Sequence, residues 1–201
     1  RVRPRPLPEQ LLGLDLSEYQ RRVSRPSRGS PLTVAVIGAG VAGAAAARAL
    51  KDAGQAVTLF EQNREASGRM STQHEGELRF DIGAQYFTVK DERFARWARG
   101  WWQERVLQEW RCRIEGEPPR THPHELVRLE GTPGMDSILK HMLLNLDVRW
   151  GVEIRGLTRD GTRWRLLDAL NHPQGEFEVV VVAAPAPQAA ALVDPTSYAL
   201  A

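Results

Sequence analysis

The chain has 201 residues, 42% of them hydrophobic, a formal net charge of +2 and one cysteine, Cys112. This supports one sizeable core in one or two domains, and it excludes a disulfide scaffold, a cysteine-built metal cluster and a globally basic nucleic-acid surface. No apolar run approaches the ~18 residues of a membrane-spanning helix, and the lone thiol fits a reducing, cytoplasmic compartment.

Residues 1–30 carry seven arginines, three acids and prolines at 4, 6, 8 and 26. They read as a flexible, basic leader, since their apolar content is too low for a core. Acids interrupt the one apolar stretch, Leu11 to Leu16, which argues against a targeting peptide. The ordered part is expected to begin at Ser30-Pro31.

Residues 33–37 predict a strand, 41–53 an alanine-rich helix with Gly54 as its C-cap, and 56–60 a second strand ending on Glu61. Between the first strand and the helix lies Gly38-Ala39-Gly40-Val41-Ala42-Gly43, a G-x-G-x-x-G turn. Gly38 permits the tight turn, Gly40 lets backbone approach a pyrophosphate, and Gly43 lets the helix pack close to the sheet. The helix N-terminus offers N–H groups to phosphate. Glu61 stands about twenty positions beyond the turn, where it can accept from a ribose 2′-hydroxyl and would repel a 2′-phosphate. Turn, flanking strands, helix and acid together make a dinucleotide site.

A polar loop is expected over 62–77, then Phe80-Asp81-Ile82-Gly83-Ala84-Gln85-Tyr86-Phe87, then a helix over 91–103. Phe94, Trp97 and Trp101 recur at helical spacing, as core packing does. Arg93, Arg96, Arg99 and Arg105 read as a solvated face. Residues 105–114 and 125–130 predict strands, and Met135 to Leu144 a helix. Strands are expected over 147–154 and 163–167, with a turn at Asp160-Gly161. Phe177 to Val182 reads as one continuous strand buried on both faces, ended by Pro185 and Pro187. His74, His122, His124, His141 and His172 show no metal spacing. No metal site follows, and no residue stands out as a catalytic acid or base.

Three segments carry a resemblance: the βαβ unit ending on Glu61, Ser67-Gly68-Arg69-Met70-Ser71-Thr72, and Asp81-Ile82-Gly83-Ala84-Gln85-Tyr86-Phe87-Thr88. Together they resemble the renalase-like FAD-dependent oxidoreductases of the flavin amine-oxidase superfamily. Gly131 to Met135 and Val179 to Pro185 are similar to the same family, less specifically. Ser67 departs from the glycine common there.

The resemblance implies an α/β fold: a Rossmann-like FAD-binding domain with an inserted α+β substrate domain. Its parts are expected at 31–88, 89–145 (the insert) and 146–201. It implies FAD contacts from Gly38, Ala39, Gly40, Ala42, Gly43, Glu61, Gln62, Arg69 and Met70. Arg69 would lie against the pyrophosphate, Gly83, Ala84, Gln85 and Tyr86 would pass near the flavin ring, and the Val152 backbone would hold adenine. It further implies oxidation of dihydro-NAD(P) isomers by hydride transfer to flavin, with dioxygen as acceptor and hydrogen peroxide as product. Related chemistry on another small molecule, as in amine oxidases and desaturases, is the alternative. Family members continue beyond the strand at 185, so a C-terminal truncation is expected, with a second chain as one source of the remainder. A non-catalytic nucleotide-binding fragment is the third reading. Neither a nucleic acid nor a membrane is expected as partner.

Overall fold

A computed structural model describes residues 29–66, 68–112, 115–116 and 127–193. Nearly all of the leader, together with Ser67, His122 and His124, lies outside the described residues. The chain divides into two compact units, with boundaries at Arg69/Met70 and His141/Met142. Residues 70–88 therefore group with the insert rather than with the βαβ unit.

The unit formed by the outer segments is built on a parallel sheet. Strand β1 (Thr33–Ile37) leads through the glycine turn into helix α1 (Val41–Asp52), and β2 (Ala56–Glu61) lies beside β1. Strand β7 (Asp147–Trp150) pairs with β2, and β11 (Val179–Val182) pairs with the other side of β1. The order is β11-β1-β2-β7, all parallel. Central β1 is covered on both faces, which is why Val34, Ala35 and Val36 are small, apolar and buried. Gly54 takes φ +81° just beyond α1, the left-handed conformation that ends helices.

A second, antiparallel sheet of β8 (Ile154–Asp160), β9 (Arg163–Asp168) and β10 (Pro173–Phe177) has the order β10-β9-β8. Its inward residues Ile154, Leu166 and Phe177 share one core with Ala35, Ile37, Phe60 and Leu192. Phe60 and Phe177 meet edge to face at 5.8 Å. Leu192 comes from helix α4 (Ala186–Leu192), which Pro185 opens as its N-cap.

Two expected strands are divided. The run 147–154 breaks at Gly151, whose φ of +72° turns the chain out of the parallel sheet and into β8. The run 177–182 breaks at Glu178: Phe177 belongs to the antiparallel sheet and Val179–Val182 to the parallel one. Nor is β11 buried on both faces. It ends the strand order and is partly exposed, because β1 flanks it on one side only. An apolar run is therefore not evidence of a single strand when a charged residue inside it has a fixed partner, here Thr33.

The Met70–His141 unit opens with a hairpin, β3 (Thr72–Glu75) and β4 (Leu78–Asp81), turning at Gly76 with φ +60°. Its β3 arm falls inside the expected polar loop, since TQHE carries no apolar alternation. Helix α2 (Glu92–Gln103) starts where Asp91 accepts from the Arg93 and Phe94 N–H groups. Its aromatic stripe is core packing: Phe94 and Trp97 both contact Trp101, with ring centroids 6.0 and 5.9 Å apart. The arginine face is only half as solvated as expected, because Arg93 and Arg105 are exposed while Arg96 and Arg99 are half-buried. Strands β5 (Leu107–Glu109) and β6 (Leu129–Gly131) pair antiparallel and are shorter than the sequence suggests. Helix α3 (Asp136–Met142) follows. Among the described residues no helix is long and apolar enough to cross a membrane.

Candidate nucleotide-binding site

Strand order places the site. The chain leaves β1 toward β2 on one side, while β11 lies on the other, so the carboxyl end of β1 is a topological switch point. Ligands of open α/β sheets bind at such points. A cleft of about 570 Å³ opens there, lined among others by Gly38, Gly40, Glu61, Arg69, Val152 and Ala183.

The glycine turn is fitted to its surroundings. Gly38 has φ +103°, and its N–H donates to the Phe60 carbonyl at 2.8 Å. A Cβ on Gly43 would stand 1.8 Å from the Gly38 carbonyl oxygen, so helix and turn touch through bare backbone. A Cβ on Gly40 would meet nothing within 4 Å. The space in front of Gly40 is thus open to the cleft. Helix α1 has no side-chain N-cap and no acid in its first turn. Its first N–H groups are left to an anion, with the positive end of the helix dipole behind them.

Glu61 is buried at 6% exposure and its carboxylate is well supported. Oε2 accepts from the Ala39 N–H at 2.7 Å. Oε1 accepts from the Asn63 N–H at 3.0 Å and from Asn63 Nδ2 at 2.8 Å. The acid at the end of β2 therefore grips the glycine turn while facing the cleft. The Val152 N–H donates to the Glu61 carbonyl, and Gly151 N–H to that of Asn63, both at 2.9 Å, which seats Val152 in the wall.

Seven expected residues line this cleft: Gly38, Gly40, Ala42, Glu61, Gln62, Arg69 and Val152. Ala39 and Gly43 are buried in the turn behind it. Met70, Gly83, Ala84, Gln85 and Tyr86 belong to the Met70–His141 unit. There Gly83, Ala84 and Gln85 are exposed. Tyr86 packs on Trp110 at 4.7 Å, and the Arg128 guanidinium lies over both rings, at 4.6 and 5.4 Å. Sequence reasoning missed Asn63, Glu153, Arg155, Ala183 and Gln188 as cleft residues. Asn63 could have been found as a short amide two positions beyond the acid. The others reach the site through chain reversals that leave no local signal.

The cleft fits a dinucleotide. Open backbone and helix N–H groups suit a diphosphate, and the fixed carboxylate suits ribose hydroxyls. Among the described residues no group of three or more His, Cys, Asp or Glu side chains could hold a metal ion.

Known proteins agree with this geometry. Residues 36–101 match the family of NAD(P)-binding Rossmann-like domains. A 4,4′-diapophytoene desaturase (4,4′-diaponeurosporene-forming) of Staphylococcus haemolyticus is 43% identical over 60 residues, 30% of this chain and 12% of that one. A 1-hydroxycarotenoid 3,4-desaturase of a Flavobacterium species is 44% identical over 54 residues, 27% of this chain and 11% of that one. A crystal structure of a candidate protoporphyrinogen oxidase from Exiguobacterium superposes with a TM-score of 0.62 at 12% identity, covering 83% of this chain and 62% of that one. The fold and cleft thus define a Rossmann-like dinucleotide-binding domain with an antiparallel insert. The chain spans only 12% and 11% of the length of the two desaturases it matches.

Proposed function

We propose that this chain carries the FAD-binding part of an oxidoreductase of the desaturase and amine-oxidase type, acting on an oxidisable small molecule. The observation that carries the reading is the switch-point cleft, with Gly40 open before it and the buried Glu61 carboxylate fixed in its wall. The matched stretches in the two desaturases support the desaturase type over other dinucleotide users. When bound, FAD would supply the hydride acceptor.

The chain's own residues bind and orient. The first turn of α1 and Arg69 would hold the diphosphate, the arginine through its permanent planar charge. Glu61 would accept from the ribose hydroxyls, with Gln62 beside it. The Val152 backbone would hold adenine. Met70 and the segment Gly83–Tyr86 are assigned to the flavin side by resemblance alone.

A renalase-like oxidase of dihydro-NAD(P) isomers, using dioxygen, is the second reading, favoured by Ala84-Gln85-Tyr86. A nucleotide-binding part that works only with a second chain is the third.

Purifying the 201-residue chain and recording its visible spectrum after incubation with FAD tests the proposal. Retained flavin bands are expected. A colourless protein that cannot be loaded overturns the enzyme readings for this chain. Anaerobic mixing then separates them: bleaching by an amine or a polyene precursor supports the first reading, and bleaching by dihydronicotinamide isomers alone assigns the second.

A further inference from the structure

Glu61 is the group whose aim decides what the ribose end of the cleft accepts. Its two oxygens are divided between two elements. Oε2 is held by the Ala39 N–H of the glycine turn, and Oε1 by both the backbone N–H and the side-chain amide of Asn63. Asn63 also lines the cleft, and its carbonyl accepts from the Gly151 N–H at the foot of the Val152 wall. One residue thus links the acid, the turn and the adenine-side wall.

We infer that Asn63 is a positioning residue: its side-chain amide sets the rotation of the Glu61 carboxylate, and so sets the site's preference for a free ribose 2′-hydroxyl over a 2′-phosphate. The inference rests on the nucleotide reading of the cleft and adds the source of its selectivity. The physical argument is directional. A glutamate side chain has three rotatable bonds, and a single contact to Ala39 leaves the carboxylate plane free to swing about Oε2. The Asn63 backbone N–H gives Oε1 one anchor at 3.0 Å, and the side-chain amide adds a second, at 2.8 Å and from another direction, which fixes the carboxylate plane. A fixed carboxylate accepts from a hydroxyl at one place and repels a phosphate at that same place, whereas a swinging one does both less well. Asparagine suits the role because its amide donates without adding charge. Aspartate there would set carboxylate against carboxylate.

The test compares the wild-type chain with Asn63→Ala and Asn63→Asp. Binding of ADP and of 2′-phosphorylated ADP is measured by calorimetry, and amide hydrogen exchange is followed at Ala39. In Asn63→Ala, ADP affinity is expected to fall about five- to tenfold, less than the full worth of a charge-assisted hydrogen bond because the backbone N–H still holds Oε1, with a smaller change for the 2′-phosphorylated probe. Exchange at Ala39 is expected to quicken while Val36 and Leu59 in the sheet stay protected. Asn63→Asp is expected to lose more ADP affinity than Asn63→Ala. A purely structural role would instead speed exchange throughout and leave the ratio of the two affinities unchanged. Wild-type and variant binding both probes with equal ratios, or Ala39 exchange unaltered, overturns the inference. If the wild-type chain binds neither probe, the nucleotide reading fails, and the Ala39 exchange comparison still decides whether Asn63 holds the acid.

Discussion

The Ala39 N–H donates to Glu61 Oε2 across 2.7 Å, so the residue that ends the second strand also braces the turn that ends the first. The acid is therefore in place before any ligand arrives. Glu61→Gln keeps one acceptor oxygen, which can serve Ala39 or Asn63 but not both. ADP affinity should fall about tenfold, ~1.4 kcal/mol, measured by calorimetry.

The glycines of the turn should separate by function. Gly43→Ala places a methyl 1.8 Å from the Gly38 carbonyl oxygen, where only backbone can yield. We expect a loss of at least about 3 kcal/mol in urea unfolding, because overpacking against backbone has no rotamer escape. Gly40→Ala meets nothing within 4 Å and Gly40 has φ −68°. Its stability should change by less than about 1 kcal/mol, while ADP affinity drops at least about tenfold as the methyl takes the space of the phosphate.

Asp81 ties the hairpin to the segment that opens α3. Its Oδ1 accepts from Thr72 Oγ1 at 2.6 Å and from the Met135 N–H at 2.9 Å. Met135 is fully buried, so Asp81→Ala strands a backbone donor. A destabilisation of about 2 kcal/mol is expected by denaturant titration, with Asp81→Asn in between.

Thr33 and Glu178 set an acid limb. The Thr33 N–H at 2.8 Å and its hydroxyl at 3.1 Å both donate to Glu178 Oε2, and they hold this carboxyl below its ordinary value of 4.5. A lowered value in the folded state means stabilisation that is fully present above pH 4.5 and lost as pH falls through the still lower folded value. Glu178→Gln should therefore be less stable than wild type at pH 7, with the gap closing below pH 4.5. Asp91 and Asp168 are also lowered, by hydrogen bonds from Arg93 and from the His172 backbone respectively, so the variant's acid limb becomes shallower rather than vanishing. Thermal unfolding at a series of pH values reads this directly.

The βαβ unit, its glycine turn and the acid at the end of β2 were legible in the amino-acid order, because each depends on neighbours within a few dozen residues. A bare backbone at Gly43, an open approach at Gly40 and an acid at the tip of the second strand are local requirements, and local sequence meets them. The same locality explains why α2, with its aromatic stripe, was readable. Tertiary structure alone decided the rest. Gly151 and Glu178 divide apolar runs between two sheets, and the partner that fixes Glu178 is Thr33, far back in the chain. The position of β11 beside β1 creates the switch point, and it brings Ala183 to the Gly38 turn. Asn63 acquires its meaning only from the rotation of the Glu61 side chain. Residue order thus specified that the domain is built for a dinucleotide. The cleft's walls came from long-range pairings whose partners no sequence period reveals.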